Sequence, residues 1–101
     1  MTRKNLEHHK ASQCHVELES DGTIRFISYT TLVIEAFPYK TEEGRTLYTL
    51  YCTGTYSRTT GKQIGWFLKE YFGDVTYQEI KNIAGDPDSF ITAERKTAKY
   101  W

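Results

Sequence analysis

From Gln13 onward the chain alternates, with Cys14, Val16 and Leu18 apolar and His15, Glu17 and Glu19 polar. This period of two predicts a half-buried strand with one wet face. Asp21-Gly22 follows and predicts a hairpin, whose type I′ turn takes positive φ at both central residues. Ile24, Phe26 and Ser28 then alternate with Arg25 and Ile27, giving the returning strand. The run Thr30–Phe37 (TTLVIEAF) is β-branched and apolar and predicts a third strand, stopped by Pro38, which cannot donate to a ladder. Tyr39 to Arg45 reads as a polar loop. Thr46–Tyr56 (TLYTLYCTGTY) predicts a fourth strand with Tyr48, Leu50 and Cys52 toward the core, and Gly54 marks a bulge or a close backbone approach.

The period then changes to 3.6. Ile64, Phe67, Leu68 and Tyr71 form one stripe of an amphipathic helix, with Thr60 and Gln63 at capping-box spacing and Gly73 as the C′ residue. Thr76 and Glu79 form a second capping box, opening a short helix that buries Ile80 and Ile83 and ends at Gly85. Phe90-Ile91 reads as a last short strand. Strands first and helices afterwards predict an α+β fold: a small antiparallel meander of about four strands followed by two α-helices packed on one face. Residues 13–93 form the single domain. Residues 1–12 show no sustained period and read as a flexible tail, and residues 94–101 as a charged and aromatic tail.

Composition narrows the class. A chain of 101 residues holds one modest core. Thirteen Lys+Arg balance thirteen Asp+Glu, and Arg25, Lys40 and Arg45 face six acids in residues 13–56, leaving that segment at −3 between two basic tails. Zero net charge argues against a dedicated duplex-DNA binder. No apolar run reaches the ~18 residues that span a bilayer, and the polar start is no signal peptide. With two Cys and no disulfide framework, the expectation is a reducing cytoplasm and no membrane partner. Eight Tyr exceed what one small core hides, and Tyr29, Tyr51 and Tyr56 are candidates for an interface, since an apolar ring with a polar tip suits a surface that is wet until bound.

Catalysis has few candidates. Glu17 and Glu19 share a strand face but read as solvated, and no nucleophile–base–orienter set is present, so an enzyme is not expected. His8, His9, Cys14, His15 and Cys52 lack zinc-ligand spacing, with His15 pointing away from Cys14 and exposed, and neither a metal nor a cofactor is expected. The segment Ser57-Arg58-Thr59-Thr60-Gly61-Lys62 is more suggestive. It places hydroxyls and two cations with no acid at a predicted helix amino terminus, which favours an anion or a partner carboxylate. Ordinary capping by Thr60 explains the same residues without a ligand.

Two phrases occur together: Ser28-Tyr29-Thr30-Thr31, and Tyr56-Ser57-Arg58-Thr59-Thr60 running into Gln63-Ile64 and Phe67-Leu68. This resembles an uncharacterised family of short proteins encoded by bacteriophages and plasmids, with a strand, Tyr-Ser-x-Thr-Thr and a helix carrying Phe-Leu. The resemblance covers residues 26–83. Members often carry His where this chain has Gln63, so any role of that imidazole is absent here. The family implies a habitat rather than an activity: mobile-element accessory proteins that bind host machinery. The expectation is therefore a non-enzymatic protein that binds a host protein or protein–nucleic acid complex, an anti-CRISPR or other counter-defence inhibitor being its sharpest form, with a second copy of the chain an admissible partner. Two alternatives stand beside it. One is sequestration of a phosphorylated nucleotide at residues 57–62. The other is nucleic-acid binding through the basic tails, Arg3-Lys4 and Arg95-Lys96-Lys99 with Tyr100 and Trp101.

Overall fold

The computed structural model describes residues 1–8 and 10–98. It is an α+β fold: a six-stranded antiparallel sheet in the order β1-β2-β3-β4-β5-β6 with two helices on one face. The strands are β1 (Thr2–Asn5), β2 (Cys14–Leu18), β3 (Ile24–Ser28), β4 (Thr31–Lys40), β5 (Thr46–Cys52) and β6 (Ile91–Ala93). Helices α1 (Arg58–Tyr71) and α2 (Tyr77–Ile83) lie between β5 and β6 in the chain, so the final strand returns to pair with β5 after both helices.

Alternation places Val16, Ile24, Phe26, Ile34, Ala36, Tyr48, Leu50 and Cys52 in the core. The α1 stripe Ile64, Phe67, Leu68 and Tyr71 closes over it. The rings of Phe26 and Phe67 stack at 4.8 Å, and Tyr48 meets Phe72 edge-on at 5.4 Å. Val33 and Ile34 are adjacent yet both fully buried, because the β3–β4 register slips between Phe26 and Ile27 and turns the extra residue inward. The opposite sheet face carries ions. Arg25 bridges Glu35 at 2.7 Å and Glu19 at 2.8 Å.

Several expectations are corrected. The sheet has six strands rather than about four: the amino-terminal segment adds β1 on one side, and the short strand read at Phe90-Ile91 forms as β6 (Ile91–Ala93) beside β5, while residues 96–98 seal the end of α1. β1 pairs with β2 over residues 2–5, and Leu6 and Ala11 are buried in the core. Pro38 does not stop the third predicted strand. β4 continues to Lys40, because beyond Ala36 it has no β3 partner and is a sheet edge on that side, where proline is tolerated. Gly22 has φ 95°, but Asp21 is not left-handed, so the hairpin is not type I′. Gly22 N–H donates to Glu19 O and Glu19 N–H to Thr23 O, a type I turn closed by a left-handed glycine. Thr41 to Arg45 repeats the pattern around Gly44.

Gly73 is not left-handed either. A Cβ there would lie 2.6 Å from Ala98 N and 2.8 Å from its Cα, so this glycine admits the carboxy-terminal segment. That segment seals the end of α1: Lys96 N–H donates to Tyr71 O, Ala98 N–H to Lys69 O and Thr97 Oγ1 to Glu70 O, while Gly73 N–H donates back to Lys96 O. Carbonyls normally left unpaired at a helix terminus thus find partners 25–29 residues away in the chain. The α2 capping box of Thr76 and Glu79 forms as its spacing predicts.

Candidate functional site

The N-cap of α1 is Ser57, not Thr60. Ser57 Oγ accepts the Thr60 N–H at 3.2 Å, so the cap lies three residues before the position that the Thr60–Gln63 spacing suggested. Thr60 and Gln63 are instead buried polar residues, at 4% and 2% exposure. Ser28 Oγ, at the end of β3, donates to Gln63 Oε1 and lies 3.3 Å from Thr60 Oγ1. Ser57 Oγ donates to the same Thr60 hydroxyl at 3.3 Å. One threonine hydroxyl therefore ties the β3–β4 turn to the entrance of α1. No buried side-chain polar atom among the described residues is left without a partner.

The residues next to those two serines are exposed tyrosines. Tyr29 (54% exposed, φ 56°) and Tyr56 (60% exposed, φ 57°) are the two non-glycine residues with left-handed backbone among the described residues. Such a conformation costs a bulky residue on the order of 1 kcal/mol or more and persists only where the surroundings enforce it. Tyr29 takes the first position of a two-residue hairpin loop flanked by the Ser28–Thr31 pair, where glycine is usual, and its N–H donates to Gln13 O at 2.7 Å. The ring of Tyr56 folds back so closely over Gly54 that a Cβ there would meet it at 3.2 Å, which is the close approach this glycine signalled. The Tyr56 hydroxyl lies 2.6 Å from Thr53 Oγ1, which itself donates to Leu32 O at 2.7 Å. Arg58, Thr59 and Lys62 complete an exposed hydroxyl- and cation-bearing rim at this end of the sheet.

Tyr51 lies apart from Tyr29, on the ionic face of the sheet, between Phe37 (6.0 Å, edge-on) and Phe90 (5.9 Å). Tyr51 and Phe37 line a cleft of about 450 Å³ that also includes Thr53, Gly85 and Pro87, so Thr53 joins the cleft to the rim. None of the four principal cavities is lined by residues 57–62. The Tyr77 hydroxyl, which a Cβ on Gly61 would meet at 3.1 Å, covers that side of α1 instead.

His15 is buried rather than exposed, with Nε2 3.2 Å from Glu17 Oε2, and Glu19 is taken by Arg25, so the two acids of β2 do not pair with each other. Cys14 and Cys52 are free and buried; desolvation pushes the Cys14 thiol up to about 11 and that of Cys52 upward as well. Among the described residues there is no group of three His, Cys, Asp or Glu placed to hold a metal. His9, Lys99, Tyr100 and Trp101 lie outside the described residues. Among the described residues no helix is long and apolar enough to cross a membrane.

Sequence reasoning missed the role of the termini. Glu70 Oε1 and Oε2 accept the N–H of Glu7 at 2.9 Å, and Oε2 that of His8 at 3.3 Å; burial pushes its carboxyl above the ordinary range. The His8 ring stacks on Trp66 at 4.1 Å. Arg95 sits 5.1 Å above the Tyr71 ring. No local periodicity signals contacts of this separation. The chain matches no profile of a known protein family, no curated protein and no solved structure.

Proposed function

We propose that this protein is a non-catalytic binding module of a bacteriophage or mobile element, and that it engages a host protein or protein–nucleic acid complex through the Tyr29, Tyr56 and Arg58 rim. An anti-CRISPR or other counter-defence inhibitor is the sharpest form of this reading. The phage setting comes from the Tyr-Ser-x-Thr-Thr resemblance. One observation supports the surface: two tyrosines, each more than half exposed, are held in costly backbone conformations on either side of one shared threonine hydroxyl. The Tyr56 ring is held by Thr53 and packed over Gly54, and an exposed ring held in this way loses little conformational freedom on binding, which is how tyrosine serves as an anchor. Arg58 and Lys62 add exposed cations beside the rings.

The test uses affinity capture from bacterial lysate with the wild-type chain and the Tyr29→Gly variant. Glycine relieves the φ of 56°, so the variant folds at least as well, and the expected result is loss of a partner that the wild type retains. Equal recovery by both chains, or no partner with either, contradicts the proposal.

A further inference from the structure

The two basic ends of the sequence meet. A cavity of about 260 Å³ opens where the end of β1, the last turn of α1 and the carboxy-terminal segment converge. Lys4 comes from the first of these, Lys69 from the second and Arg95 from the third. None of the three makes an ion pair with another described residue, whereas Arg25, Arg45 and Lys96 are each paired with an acid.

The groups that ordinarily neutralise cations at such a place are already engaged. Both oxygens of Glu70 accept backbone N–H groups, so this carboxylate is held by the amino-terminal segment and pairs with none of the three cations. The carbonyls that end α1 and make that terminus negative are taken by Lys96 N–H, Thr97 Oγ1 and Ala98 N–H. Glu7 is the remaining acid on the wall. The guanidinium of Arg95 is positioned over the Tyr71 ring, and a planar fork of donors matches two oxygens of one anion. The wall is polar throughout, apart from Ala98 and the ring of Tyr71. The volume lies below the roughly 300–1,000 Å³ of clefts that enclose whole drug-sized ligands, which suits one anionic head group.

We infer that the cavity lined by Lys4, Lys69 and Arg95 binds the phosphate group of a small phosphate-bearing ligand. This site is independent of the Tyr29–Tyr56 rim, so either can fail without the other.

Isothermal titration with inorganic phosphate and with adenosine 5′-monophosphate, adenosine serving as the control, reads the site directly. The expected result is saturable one-to-one binding of the two phosphate-bearing probes and none of adenosine. Binding of inorganic phosphate as tight as that of the nucleotide identifies the free anion as sufficient, and tighter nucleotide binding identifies the monoester; both support the site. The Lys69→Gln, Arg95→Gln double variant should melt within about 5 °C of the wild type, the Arg95–Tyr71 contact being lost, and weaken phosphate by at least about ten-fold for each cation removed. Lys4→Gln, on an exposed position of β1, supplies the same readout should the double variant fold poorly. No heat with either phosphate probe up to about 10 mM, or unchanged affinity in the variants, overturns the inference. Equal binding of adenosine overturns it as well, since the phosphate would then contribute nothing.

Discussion

Replacing Gly73 by alanine tests how the carboxy-terminal segment is held. The added Cβ would sit 2.6 Å from Ala98 N, 2.8 Å from Ala98 Cα and 3.0 Å from Lys96 O, all backbone atoms with no flexible side chain to yield. The segment must therefore move off the end of α1. Four hydrogen bonds go with it: Lys96 N–H to Tyr71 O, Ala98 N–H to Lys69 O, Thr97 Oγ1 to Glu70 O and Gly73 N–H to Lys96 O. At about 0.5–1.5 kcal/mol net for each, their loss costs about 2–6 kcal/mol. Restricting the unfolded chain returns about 0.4–1 kcal/mol, leaving a net destabilisation of about 1–6 kcal/mol. Urea denaturation gives the free energy, and amide exchange at Lys96 and Ala98 locates the change. Gly65→Ala is the control, because nothing lies within 4 Å of a Cβ at that position in mid-helix. There the same substitution should stabilise by roughly 0.5–1 kcal/mol. A Gly73→Ala protein with wild-type stability and unaltered protection of Lys96 and Ala98 refutes the reasoning.

Further outcomes follow from the polar cluster and the buried thiols. Ser57→Ala should cost about 0.5–2 kcal/mol as an N-cap loss in denaturant titration, whereas Thr60→Val should cost about 1–3 kcal/mol by removing the hydroxyl shared by Ser28 and Ser57. If the Thr60→Val protein is as stable as wild type, that hydroxyl is not what joins the two loops. The Arg58→Gln, Lys62→Gln double variant should stay within about 0.5 kcal/mol of wild type while losing partner capture; full capture ends the case for these cations. With the Cys14 thiol near 11 in the fold against an ordinary value of 9.0, the unfolded chain ionises first as pH rises. Stability from this group is complete below pH 9.0 and is lost as pH climbs toward about 11, a trend that the raised Cys52 and Tyr71 reinforce. A melting temperature flat between pH 8.5 and about 10.5 contradicts that burial.

Local pattern was enough for β2, β3, β5 and both helices, because alternation at Cys14–Leu18 and the Ile64–Tyr71 stripe each record which side meets the core. It failed where the deciding contact is distant. Thr2 to Asn5 is polar and wholly exposed and becomes a strand by pairing with β2, not by any periodicity of its own. Gly73 reads as a helix stop, but its reason is the approach of residues 96–98. Thr60 and Gln63 fit a capping box by spacing, while a serine on another strand, Ser28, draws both inward and leaves the cap to Ser57. The candidate rim was legible as residue types at Tyr29, Tyr56 and Arg58; the left-handed backbone at the two tyrosines was not. Nor was the meeting of Lys4, Lys69 and Arg95, which needs the tertiary fold.

The partner-binding role of the rim is tested most directly by crosslinking inside bacterial cells. A photo-reactive amino acid placed at Thr59 lies on the rim, and one at Glu43 lies in the β4–β5 turn at the far end of the ten-residue strand β4, about 30 Å away. A discrete host protein joined to the Thr59 probe but not to the Glu43 probe is the predicted result. Crosslinks of equal yield and identity from both positions, or from Glu43 alone, would contradict it.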